Sequence, residues 1–134
     1  MANKGDRYTV ILDVAHLGWG THRYTTTRPP IPGERYLPIP RADAIRIGIY
    51  NSNATNGKDI LGQNIFNCTS VDGFFNAVFK SQGCFEAGDI YAKQFSVNDD
   101  LQALDVWYRH INAQPGDVIK VTWTSSIDIV IEKV

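Results

Sequence analysis

The residues of this chain best suited to chemistry gather in two short stretches, and what they offer is charge and hydrogen bonding rather than bond-making. The first, residues 19–28 (WGTHRYTTTR), brings together Trp19, His22, Arg23, Tyr24, Thr25, Thr27 and Arg28. Arginine forks pair with phosphates or guanine edges, threonine hydroxyls and methyls meet phosphates or thymine methyls, and aromatic rings pack on sugar or base. The second, residues 80–94, brackets a turn at Gly83 to Gly88 with Lys80, Gln82, Lys93 and Gln94. A two-stranded ribbon with lysine and glutamine near its tip can enter a major groove. Glu86 and Asp89 in that turn repel phosphates, although a carboxylate can also accept from a cytosine amine. The competing reading of the first stretch is a lid packed on the protein body, with Trp19 and Tyr24 buried and the arginines solvated.

Catalytic patterns are missing from the sequence. A metal-dependent nuclease of the Asp…Glu-x-Lys type needs a lysine two residues beyond the second carboxylate. Here Glu132 and Lys133 are adjacent, so on a strand they point to opposite faces. His16, His22 and His110 lack zinc-ligand spacing to each other or to Cys68 and Cys84, and there is no phosphate-cradling glycine loop or nucleophile elbow. Asp99 and Asp100 read as a solvated helix start, and both cysteines read as reduced. The expectation is no catalytic residue, no metal and no cofactor.

The formal net charge of −1 argues at first sight against a nucleic-acid partner, because phosphate contacts depend on clustered Lys and Arg. The average hides a division. Residues 1–50 hold seven basic residues against four acidic ones, and residues 51–134 hold six against ten. Every arginine but Arg109 lies in the first part. A molecule with one basic and one acidic side stays soluble while steering an anion.

These groups must be positioned by a mainly β scaffold. At 134 residues with 43% hydrophobic content, the chain fits a single globular domain over 1–134. No apolar run spans a bilayer and residues 1–6 have no apolar signal core, so a cytoplasmic location is expected. Residues 8–14 (YTVILDV) read as a first strand. Residues 16–34 form a long glycine- and proline-rich connection, of a length that is usually functional. Residues 35–40 return as an edge strand ending in Pro38 and Pro40. A short helix over 41–49 follows, with Ala42, Ile45 and Ile49 as its apolar stripe and Gly48 as its stop.

Strands are expected over 64–69, 74–80 and 90–95, separated by glycine-containing turns. A second helix spans 101–111, with Leu101, Leu104, Trp107, Tyr108 and Ile111 on the buried face and Asn98 to Asp100 at its start. A closing hairpin pairs 118–123 with 127–132. Seven short strands with two short helices at the ends suggest a closed or nearly closed small barrel, because strands this short cannot bury two faces in an open sheet.

That element order resembles the B-three-like DNA-binding pseudobarrel of plant transcription factors and of restriction endonuclease recognition or effector domains. LPIPRADA (residues 37–44) is similar to the family's proline-then-helix segment, and AQPGDVIKVTW (residues 113–123) to its Gly-Asp closing strand. The departures are a longer first arm, a net charge that is not basic, and Ala113 or Ile111 where the family has leucine. The resemblance implies a mainly β, seven-stranded open pseudobarrel with two short helices, in which two arms, residues 19–28 and 80–94, grip a major groove from side by side at one mouth of the barrel. It implies a sequence-specific double-stranded DNA-binding module without its own catalysis, belonging to a restriction-modification system, with a nuclease subunit or domain as a further partner. Arg23, Arg28 and Lys80 would anchor phosphates; Arg23, Thr25, Gln82, Lys93 and Gln94 would read base edges. The alternative is a protein- or small-ligand-binding barrel that uses the aromatic front loop.

Overall fold

The computed structural model describes residues 2–12, 35–51, 55, 58–83, 90–98, 100 and 103–134. Along the chain run β1 (Arg7–Ile11), β2 (Leu37–Pro38), α1 (Arg41–Ile47), β3 (Ile65–Ser70), β4 (Asn76–Gln82), β5 (Gln94–Val97), α2 (Ala103–His110), β6 (Val118–Trp123) and β7 (Asp128–Lys133). The strands form a seven-stranded sheet in the order β1-β6-β7-β3-β4-β5-β2. Among these seven strands, β3 and β7 pair in parallel and the other neighbours pair antiparallel.

The two edge strands of this order meet. Tyr8 on β1 donates its hydroxyl to the Pro38 carbonyl on β2 at 3.1 Å, so the sheet curls into a nearly closed barrel with two helices. The alternating sequence of β6 turns Ile119, Val121 and Trp123 inward. Inside, Phe66 stands edge-on to both Phe95 and Trp123 with centroids 5.8 Å away, and Phe79 stacks on Phe95 at 5.3 Å. Such offset and edge-to-face pairs each add about 0.5–1.5 kcal/mol beyond the area they bury.

Prolines set the shape of the seam. Pro38 and Pro40 cannot donate to a ladder, so β2 stops at two residues. The amide between them, Ile39 N–H, still donates to the Lys93 carbonyl at 2.8 Å. α1 then starts after Pro40 and ends at Gly48, whose φ of 85° closes the helix with its N–H on the Ala44 carbonyl.

The strand directions place the helices at opposite ends of the barrel. Arg46 of α1 donates to the Arg7 carbonyl at 2.7 Å, at the start of β1. At the other end, Tyr108 of α2 donates to the Tyr36 carbonyl at 2.9 Å, and His110 contacts Asp72 in the β3–β4 turn at 2.8 Å. α2 closes through Asn112 at φ 51°, with Ala113 N–H on the Tyr108 carbonyl and Asn112 N–H on that of Arg109.

Three expectations need correction. The stripe of α1 is Ala44 and Ile47, continued by Ile49, all buried, while Ala42 is exposed and Ile45 is 46% exposed. Buried Ile39 before the helix and Ile49 after it fix that rotation. Residues 90–92 are not part of β5: Asn51 N–H donates to the Ile90 carbonyl and Ala92 N–H to that of Ile49, so this segment pairs with the 49–51 strap. β4 begins at Asn76 rather than Phe74. Phe74 instead lies half-exposed, stacked on the His110 ring at 3.6 Å. Trp107 and Cys68 are buried in the core; Cys84 and Leu101 lie outside the described residues.

Candidate nucleic-acid interface

Of the residues expected to make contacts, Trp19, His22, Arg23, Tyr24, Thr25, Thr27 and Arg28 lie outside the described residues. The points where that connection joins the barrel are described. Leu12 N–H donates to the Asp117 carbonyl and Gly116 N–H to the Leu12 carbonyl, while Arg35 is ion-paired with Asp105 of α2 at 3.2 Å. Both joins are therefore at the α2 end.

The second stretch is described except for residues 84–89. Gln82 and Gln94 face each other in the β4–β5 register, and Gln94 also pairs with Pro38 of β2. The Ser96 hydroxyl donates to Gln82 Oε1 at 3.3 Å, which orients that amide. Lys80 is two residues behind Gln82 on the same face of the strand. Its ammonium is held by Asp59 at 3.2 Å. Lys93 is exposed and has no ion pair among the described residues. Its backbone is clamped on both sides, since its N–H donates to the Gln82 carbonyl at 2.7 Å and its carbonyl accepts from Ile39.

The two stretches do not spring from one mouth. β5 runs antiparallel to β4 and β2 antiparallel to β5, so the base of the ribbon sits at the α1 end while the joins of residues 13–34 sit at the α2 end. Along β2, Arg35 and Pro38 are three residues apart, about 10 Å of extended chain. What lies between the two bases is the outer face of β4 and β5, carrying Lys80, Gln82 and Gln94.

Supporting groups that sequence reasoning missed fix the ribbon base. Tyr50 stacks on Tyr91 with centroids 5.6 Å away, and the buried Ser81 hydroxyl donates to the Tyr50 carbonyl at 2.7 Å. A side chain at Gly83 would come within 3.0 Å of both Asn51 Nδ2 and the Tyr91 carbonyl. The glycine thus permits the 49–51 strap to close against the ribbon. The sequence signal was present as Tyr50-Asn51 and Tyr91, but only tertiary pairing joins them.

Carboxylates held by hydrogen-bonding partners occur at both ends, Asp128 at the α1 end being lowered by Asn67 and Ser125. At the α2 end Asp72 is held down to about 2, first by the Ser70 hydroxyl, then by the Phe74 N–H and His110. Asp117 is lowered by the Gln114 N–H and by Lys133. Asp105 is shared by Arg35 and Arg109, the latter at 2.7 Å. Among the described residues no cluster of three or more metal-ligating side chains occurs, and no helix is long and apolar enough to cross a membrane.

No family model and no curated protein matches the chain. Among solved structures, the chain is similar to the N-terminal domain of Helicobacter pylori LlaJI.R1, at 7% sequence identity and a TM-score of 0.51, over 96% of this chain and 86% of that one. At that identity the likeness is one of fold.

Proposed function

We propose that this protein is a sequence-specific double-stranded DNA-binding module without its own catalysis, working within a restriction-modification system. The observation that carries the reading is the fold likeness to the N-terminal domain of Helicobacter pylori LlaJI.R1 across nearly the whole chain, taken with the B-three-like resemblance of the sequence. It is supported by the ribbon base, where two glutamine amides sit opposite each other beside an exposed lysine. A carboxamide offers a donor and an acceptor together, the pairing suited to the adenine edge, and a lysine ammonium suits guanine or a phosphate.

In this reading a duplex lies across the outer face of β4 and β5. Gln82 and Gln94 read base edges, and Lys93 contributes a phosphate or guanine contact. Lys80, tied to Asp59, contributes less than its exposure suggests. Trp19, His22, Arg23, Tyr24, Thr25, Thr27 and Arg28 are the remaining contact residues of this reading, assigned from the B-three-like resemblance. A nuclease subunit or domain supplies cleavage, and linked binding raises the affinity of a small module.

The test is selection from a random duplex library followed by a mobility shift at two salt concentrations. Enrichment of one sequence, with affinity falling steeply as salt rises, is the expected result. Failure to enrich any duplex refutes the reading. A small-ligand-binding function is favoured by one feature, a cavity of about 320 Å³ lined by Arg35, Asp105, Tyr108, Arg109, Asn112, Ala113 and Gln114. Its lining is mostly polar, whereas small-molecule sites are mostly apolar.

A further inference from the structure

The basic surplus of residues 1–50 has a definite place in the fold. Arg41 and Arg46 are exposed on α1, whose buried face is Ala44 and Ile47. The Arg46 guanidinium bonds the Arg7 carbonyl at 2.7 Å, which lays α1 against the start of β1, where Arg7 and Lys4 are also exposed. At its other end α1 follows Ile39, whose N–H is bonded to the Lys93 carbonyl. Lys93, Arg41, Arg46, Arg7 and Lys4 thus follow one another around the α1 end of the barrel. Among the described residues, three carboxylates accompany these five cations: Asp43, paired with Arg46 at 2.8 Å, Asp6, which accepts from the Asn3 N–H, and Asp128 at the start of β7, which accepts from Asn67 and Ser125. At the α2 end the exposed cations Arg109 and Lys133 are each bound to an aspartate.

We infer that this belt is a track for the phosphate backbone of a duplex, continuous with the ribbon base at Lys93. The inference rests on the DNA-binding reading and extends it to a surface outside both sequence-predicted arms. A line of exposed cations matches a polyanion with regularly spaced charges, and contacts to phosphate add affinity without adding sequence preference. Arg46 is the positioning member, holding α1 to β1 while its neighbours face solvent.

The test compares two double variants of equal charge change. Arg7→Gln with Arg41→Gln removes belt cations, and Arg109→Gln with Lys133→Gln removes cations at the α2 end. Both leave Arg46 and the ribbon intact. Log affinity against log salt is measured for a selected duplex and for an unrelated one, with a thermal melt to check that each variant is folded. The belt variant should lower the salt slope by about 2, at roughly 0.9 per lost phosphate contact. It should weaken both duplexes by the same factor, while the α2-end variant shifts the slope by much less. Equal slopes for the two variants, with the parent protein still binding duplex, overturn the belt and leave the DNA reading standing. A parent that binds no duplex at low salt overturns both.

Discussion

The seam of the barrel hangs on two tyrosine hydroxyls, and removing them tests the closure directly. Tyr8 from β1 and Tyr108 from α2 donate to the carbonyls of Pro38 and Tyr36, two residues apart on the strand that has only two register pairs of its own. The Tyr108 bond is buried and the Tyr8 bond partly so. Leaving a buried acceptor unpaired costs about 1–3 kcal/mol, so Tyr108→Phe should cost about 2 kcal/mol and Tyr8→Phe about 1 kcal/mol. With an unfolding entropy near 2.1 cal/mol/K per residue, 1 kcal/mol corresponds to about 3–4 °C for a chain of this size. The two single variants should therefore melt about 7 °C and 4 °C below the parent. The double variant should depart from their sum, because both hydroxyls brace one short segment. Calorimetry gives the melting shifts, and amide hydrogen exchange at Leu37 and Ile39 reports the seam itself. A double variant melting within 1 °C of the parent, with those amides still protected, would refute the closure argument.

Lys93→Ala should weaken binding to all duplexes alike and reduce the salt slope by about 1, whereas Gln82→Ala or Gln94→Ala should leave the slope unchanged and relax preference at one base pair by about 1–3 kcal/mol, both read by titration against single-substitution duplexes. Alkaline pH should unfold the protein early. Burial raises Cys68 above its ordinary 9.0 and Tyr8 and Tyr108 above 10.0. The unfolded chain therefore loses these protons first, and stability, intact below pH 9, falls above it by about 1.4 kcal/mol per pH unit for each group engaged. Cys68→Ala should move the start of that fall from near pH 9 to near pH 10 in pH-dependent denaturant melts. Asp72, lowered to about 2, acts in the opposite sense. Its contribution is present above the ordinary carboxylate range and is lost as pH falls from about 4 towards 2, so Asp72→Asn should flatten the acid limb of the same curve.

The parts of the fold legible in the sequence are those where one periodicity had no rival. β6 reads VIKVTW and can alternate in only one way with Trp123 inside. The α2 stripe of Leu104, Trp107 and Tyr108 outweighs anything on its other face. α1 is too short for that: over seven residues, Ala42 with Ile45 and Ala44 with Ile47 are equally good half-stripes. The choice between them was made by the buried isoleucines flanking the helix and by the Arg46 bond to β1, which are tertiary facts. The same holds for the interface. Residue types marked Gln82, Lys93 and Gln94 as groups that can read DNA, but their opposition across a ladder follows from register. The neutralisation of Lys80 depends on Asp59, twenty-one residues earlier, and no local pattern shows it.

The formal net charge is a coarse guide for a related reason, since it sums groups too far apart to act on the same partner. Of the acids with lowered pKa, Asp72 and Asp117 lie at the α2 end and Asp128 at the α1 end, where the cations from Lys93 to Lys4 also lie. Six-residue strands such as β6 and β7 separate the two ends by about 20 Å. At physiological ionic strength charges are screened over about 8 Å. A polyanion docked at the α1 end would therefore meet the charges of that end, among the described residues five cations and three carboxylates, rather than the formal total of −1.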